Sequence, residues 1–195
     1  NDLINAAKEI TDIKDAQYKY VILGTLNNMD ENAKQFEPLF LTLLNDKDTD
    51  VKLAAIHSLG RLKSKQSLPI FRNIVKKYHG PKYDELEKLY QEAGLEGTFL
   101  KHLLTFSSSA EAIAAVTALG MMKDEESIPI IADKIELMGY EGGKALMEIG
   151  KPALPTLVEI ARKESKNYQE SNIGSGYKLY AANALGEFKD RSAED

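Results

Sequence analysis

Between Ser67 and Lys77 the apolar residues Leu68, Phe71, Ile74 and Val75 recur at spacings of three and four, one stripe on a 3.6-residue period. A helix with a single apolar stripe needs a neighbour to cover it. The preceding segment supplies one, because Ala54-Ala55-Ile56-His57-Ser58-Leu59-Gly60 carries small and apolar residues at helical spacing and stops at a turn. The same pair of phrases returns as Ala114-Ala115-Val116-Thr117-Ala118-Leu119-Gly120 followed by Ser127-Ile128-Pro129-Ile130-Ile131, matching Ser67-Leu68-Pro69-Ile70-Phe71. In both copies Gly and Pro stand nine residues apart. A compressed copy runs from Ala145 to Gly150 and on through Pro152 and Pro155, a further one ends at Leu185-Gly186, and a looser one spans Val21 to Asn27 before Pro38.

Each part of the phrase has a mechanical reading. Alanines along one helix face allow a second helix to approach closely, and the Gly or Asn after the last Leu suits the left-handed residue that ends a helix. Pro near the start of the next apolar run fits the first helical turn, where its missing N–H has no intrahelical partner in any case. The chain therefore reads as a repeated helix pair, A then B. The phrase ends at Asn27, Gly60, Gly120, Gly150 and Gly186, at intervals of 33, 60, 30 and 36 residues. The interval of 60 is about two units, so a degenerate unit is expected over residues 81–107. Its first helix would carry Leu86, Leu89 and Tyr90, and its second Phe99, Leu100, Leu103 and Leu104.

In phrase and period the chain resembles the short HEAT repeats of the phycobilisome-lyase-like type, over nearly its whole length. The resemblance implies an all-α fold, a right-handed α-solenoid of about five helix pairs. The units would cover residues 1–45, 46–80, 81–107, 108–138 and 139–165, with a partial unit at 166–195, all within one domain. Lys52 stands where such repeats carry Arg, and Lys19 and Lys178 match it in their own copies. In the family this position ties adjacent repeats through an acid–base ladder, so these lysines are read as structural. Ala112 and Gly142 occupy the position in two other copies, where the ladder should be interrupted. The polar segment Ser165 to Gly176 reads as a surface connection, and after Gly186 no apolar helix B follows, so the array is expected to be incomplete at its C-terminus.

Charge adds an asymmetry that the repeat does not. The formal net charge is −5, yet from Val51 to Tyr83 the chain carries Lys52, Arg61, Lys63, Lys65, Arg72, Lys76, Lys77 and Lys82 and no acid. A net negative charge and the absence of Trp argue against nucleic acid as the partner, because phosphate contacts need clustered positive charge. No run approaches the roughly 18 apolar residues of a membrane span. A cytoplasmic location is expected, with a processed exported form kept open because the sequence begins at Asn1. The lack of cysteine leaves the redox compartment open.

The residues that carry chemistry elsewhere are scattered. His57, His79 and His102 occur singly, without a second His or Cys at metal-ligand spacing, so neither a metal nor a catalytic residue is assigned. The iron-binding His-Glu steps of deoxyhypusine hydroxylase, a related repeat enzyme, have no counterpart. No nucleophile elbow or phosphate-binding loop is present, and no cofactor is expected. Asp46, Asp48 and Asp50 lack the Gly and Glu of a calcium loop and read as caps before a helix A. Tyr18, Tyr20, Tyr177 and Tyr180 are expected to close the ends of the core, with packing on a partner as the alternative. The favoured function is a non-catalytic protein-interaction scaffold. In HEAT-like arrays the B helices line the concave face, which here would present Arg72, Asn73, Lys76 and Lys77, then Ala132, Asp133 and Glu136, then Val158, Glu159 and Arg162. Arg72, Lys76 and Lys77 would receive an acidic segment of another protein. The alternative is an enzyme or enzyme subunit of the same class, resembling a bilin lyase or a DNA-repair glycosylase.

Overall fold

The computed structural model describes residues 9, 16–27, 30–80, 98–162, 181–183 and 185–186. Among them every regular element is a helix. The main ones are α1 (Ala16–Asn27), α2 (Glu37–Leu43), α3 (Thr49–Arg61), α4 (Leu68–Lys77), α5 (Thr98–Met121), α6 (Ile128–Asp133), α7 (Ile135–Ile149) and α8 (Leu154–Arg162), with short 3₁₀ turns leading into α2, α6 and α8. The chain is an all-α solenoid. The first helices of the pairs, α1, α3, α5 and α7, stack in that order; α4 packs on α6 and α6 on α8 beside them. Between the two rows lies one continuous core, with Leu23, Phe40, Ile56, Leu59, Phe71, Leu119, Ile131, Leu146 and Leu157 almost wholly buried.

Local chemistry explains where the helices start. The Asp48 carboxylate accepts the Val51 N–H at 3.1 Å, capping α3. Pro38, Pro69 and Pro129 fall in the first turn of α2, α4 and α6. Where the first helices stop, the sequence reading is corrected. Gly60 and Gly120 do not take the left-handed conformation; α3 and α5 run one residue past them, and the residues with positive φ are Lys63 (φ 52°) and Lys123 (φ 55°). Each closes a Schellman turn: the Ser64 N–H donates to the Leu59 carbonyl at 3.0 Å and the Lys63 N–H to Gly60 at 3.1 Å, with the same pattern at Asp124 and Lys123. Gly150, by contrast, does end its helix with φ 100°.

The two glycines serve packing instead. A Cβ at Gly60 would lie 2.9 Å from the Ala118 Cβ, and one at Gly120 would lie 2.8 Å from the Ala145 Cα and 2.9 Å from a Glu148 carboxylate oxygen. They are the points of closest approach between successive first helices.

The same contacts bear on the 60-residue interval: α3 and α4 pack directly on α5, so the pairs that end at Gly60 and Gly120 are stacking neighbours. Phe99 to Leu104 and Ala114 to Gly120 belong to the single helix α5. Leu86, Leu89, Tyr90, Lys82, Lys178, Tyr177, Tyr180 and the Ser165 to Gly176 connection lie outside the described residues. Farther on, Gly139 (φ 52°, ψ −119°) kinks α7 and separates the turn after α6 from the next first helix. Tyr18 and Tyr20 do not close the core, being 66% and 54% exposed.

Candidate functional site

The expected binding residues divide into those the fold has already engaged and those it presents. Arg72 belongs to the first group. It leaves α4 half-buried and forks onto Asp124, with its Nε donating to Oδ2 at 2.7 Å and a terminal nitrogen to Oδ1, while the other nitrogen reaches Glu126. Asp124 is buried just after the positive-φ Lys123, so the Schellman turn of one pair delivers the acceptor for the cation of the previous pair. The Asp124 hydrogen bonds hold the Arg72 guanidinium charged, outweighing the opposing effect of burial. Arg72 therefore directs its donors to the next repeat rather than leaving them free beside Lys76 and Lys77.

Two further ties join successive repeats. Lys19 Nζ donates to Asp46 at 2.6 Å, linking α1 to the turn before α3, and Lys52 Nζ donates to Glu111, linking α3 to α5. These are the two described lysines at the ladder position. Burial raises the affinity of the Asp46 carboxyl for its proton, but the Lys19 hydrogen bond, the Asp48 and Lys47 N–H groups and the Lys19 charge prevail, leaving its pKa below the ordinary value. At Ala112 the ladder position carries no cation, while the neighbouring Glu111 supplies the acid to Lys52 of the preceding pair.

This arrangement explains the acid-free stretch from Val51 to Tyr83. Its two inward-directed cations, Lys52 and Arg72, are matched by Glu111, Asp124 and Glu126 of the following pair, so acids within the stretch itself are not needed. Arg61, Lys63, Lys65, Lys76 and Lys77 remain exposed.

On the face of the second helices, Asn73, Lys76 and Lys77 are exposed on α4, Asp133 at the end of α6, Glu136 in the first turn of α7, and Glu159 and Arg162 on α8. Ala132 and Val158 are half-buried beside them. Asp133 pairs with the adjacent Lys134 at 3.2 Å. Counted from Pro69, Pro129 and Pro155, the residues Asn73, Asp133 and Glu159 stand four places on, in one row across three packed helices. Leu137, 46% exposed, lies over Gly80, where a Cβ would be 3.1 Å from its Cδ2. The turn that follows α4 thus meets the start of α7. Sequence reasoning missed Asp124 and Glu126 as partners of Arg72. The signal lay in the register, four and six residues after Gly120, but only the stacking of α4 on α6 gives it meaning.

The remaining chemistry is sparse. His57 and His79 are exposed, and among the described residues no cluster of His, Cys, Asp and Glu is placed to hold a metal. A hollow between α1 and the start of α3 is lined by Gln17, Tyr20, Asp48 and Asp50, of which Asp48 is already used as the α3 cap. No described helix is long and apolar enough to cross a membrane.

Comparison with known proteins bears on the repeat itself. The HEAT repeat model matches residues 36–65, covering α2, α3 and the turn after α3. The PBS lyase HEAT-like repeat model matches residues 112–135, covering most of the stacked part of α5 together with α6. A search of the curated proteins finds no match. The two repeat matches, one on α2 and α3 and one on α5 and α6 of the same stack, support a HEAT-like repeat protein.

Proposed function

We propose that this protein is a non-catalytic interaction module that holds an acidic segment of another protein on the face of its second helices, at Lys76 and Lys77. HEAT repeats generally mediate protein interactions, which supports the class. The observation that carries the finer reading is the contrast within one helix. Arg72 is taken up by Asp124 and Glu126, whereas Lys76 and Lys77, one turn on, are exposed and enter no ion pair with another described residue. Two adjacent ammonium groups repel each other and add nothing to folding, so the arrangement favours an external anion. Asn73 beside them offers an amide for the backbone of a bound chain. The lyase-like repeat match is compatible with the enzyme-subunit alternative, but it covers a single pair.

The test is affinity capture from the native cell with the parent and with Lys76→Glu/Lys77→Glu, leaving Arg72 intact so that the stack is undisturbed. The captured protein should be lost with the double reversal, and its release should rise with salt, since exposed charges are screened over about 8 Å at physiological ionic strength. An unchanged captured set, with unchanged helix content, rejects this face as the binding site.

A further inference from the structure

The first helices of three pairs end together at one edge of the stack. Gly60, one residue from the end of α3, meets Ala118, three from the end of α5; Gly120, one from the end of α5, meets Ala145, four from the end of α7. The C-terminal ends of α3, α5 and α7 therefore lie side by side, and the turns beyond them share that edge. Arg61 ends α3, Lys63 and Lys65 follow it, Lys123 follows α5 and Lys151 follows α7, and all five are exposed. Asp124 and Glu126 in the same turns are taken by Arg72, which leaves Glu125 as the exposed acid there. Arg61, Lys63, Lys65 and Lys123 form no ion pair with another described residue. The edge is thus cationic in a chain whose formal net charge is −5.

Two of these lysines stand where lysine is disfavoured. Lys63 and Lys123 are the described non-glycine residues with positive φ, at equivalent places in successive turns, where Gly would be free of strain. A cation beyond a helix C-terminus gains from the helix dipole, but by no more than the left-handed backbone costs it. Folding therefore does not account for lysine at both places, and the charge is of use outside the fold. Its placement selects a flat partner. A bound peptide draws its affinity from a groove that contacts backbone and side chains together, whereas turn tips along an edge reach what lies flat against them. The negative charge elsewhere on the chain is repelled by an anionic surface and so turns this edge toward it. We propose that Arg61, Lys63, Lys65 and Lys123 dock the solenoid edge-on against an anionic lipid surface. Each cation near such a surface contributes about fivefold in affinity, and Glu125 offsets one of them, so the attachment is weak and reversible. Lys76 and Lys77 take no part, because they stand at the far end of α4, roughly 13 Å along its axis from Leu68.

The experiment is co-sedimentation of the intact chain at low salt with vesicles of phosphatidylcholine alone or with about one-third phosphatidylserine. The chain should sediment with the anionic vesicles, stay in solution with the neutral ones, and be released as salt rises to physiological strength. Lys63→Gly/Lys123→Gly should weaken this binding about 25-fold while melting above the parent, so that the loss cannot come from unfolding. Lys76→Glu/Lys77→Glu should leave it unchanged. No binding to anionic vesicles, equal binding to neutral ones, or binding that the Lys63→Gly/Lys123→Gly variant retains overturns the inference. So does a Lys63→Gly/Lys123→Gly variant that melts below the parent, since the strain argument then fails. Displacement from the vesicles by soluble polyglutamate or a single-stranded oligonucleotide at matched charge concentration overturns it too, and reassigns the edge to an acidic protein or a nucleic acid.

Discussion

Gly60→Ala is the substitution for which ordinary propensity and this structure predict opposite signs. In an open helix interior, replacing Gly by Ala is stabilising by about 1 kcal/mol, because Gly loses more backbone freedom on folding. At Gly60 the added methyl would stand 2.9 Å from the Ala118 Cβ and 3.2 Å from its Cα. Carbon atoms in contact prefer about 3.5–4.0 Å, so α3 and α5 must separate by something under 1 Å where they are closest. Overpacking of this kind costs about 1–3 kcal/mol. Set against the propensity gain, the net expectation is a loss of up to about 2 kcal/mol, or several degrees in Tm. Gly24→Ala on α1 is the internal control, because its Cβ would meet nothing within 4 Å. Thermal melts followed by circular dichroism at 222 nm should therefore move in opposite directions for the two variants. A Gly60→Ala variant that melts at or above the parent would refute the account of this glycine as a packing residue. A double-mutant cycle with Ala118→Gly should show coupling between the two positions, since each substitution changes the same contact.

Lys63→Gly should raise Tm, by about 1 kcal/mol in stability, because Lys63 holds φ 52° on the exposed side of a Schellman turn where Gly carries no penalty. Arg72→Met leaves the Asp124 side chain, 5% exposed, without its partner and should cost about 2–3 kcal/mol in a denaturation midpoint; Arg72→Lys should recover only part of it, since an ammonium cannot reproduce the fork. For Asp46, whose pKa is lowered in the folded chain, the stabilisation is complete above the ordinary value of 3.8 and disappears as pH falls through the lowered one. Melts between pH 5 and pH 2 should therefore show a smaller acid-induced drop for Asp46→Asn than for the parent, and equal drops would exclude the Lys19 tie as its source. Leu59→Asp should abolish cooperative melting of its pair, because Leu59 is wholly buried and an unpaired carboxylate there costs several kcal/mol.

The helix pairs were legible in the sequence because they depend on nearest-neighbour chemistry. The stripe of Leu68, Phe71 and Val75, the Pro after each turn and the Asp before α3 all act within a few residues of themselves. The all-α class and the exposed positions Asn73, Lys76, Asp133 and Glu159 follow from the same 3.6-residue period. What the period could not convey is which copies are neighbours in space. A 60-residue interval does not say whether the flanking pairs touch, and only the packing of α3 and α4 on α5 shows that they do. The role of Gly60 turned on the same fact: its neighbour across the helix contact is Ala118, and 58 positions in the chain separate them. Arg72 and Asp124 are likewise 52 positions apart, so the helical register could mark the face of the guanidinium but not the carboxylate that receives it. A helix face is fixed by local sequence, but the occupant of each donor is fixed by the tertiary neighbour, because a hydrogen bond depends on distances of a few ångströms that periodicity alone does not set.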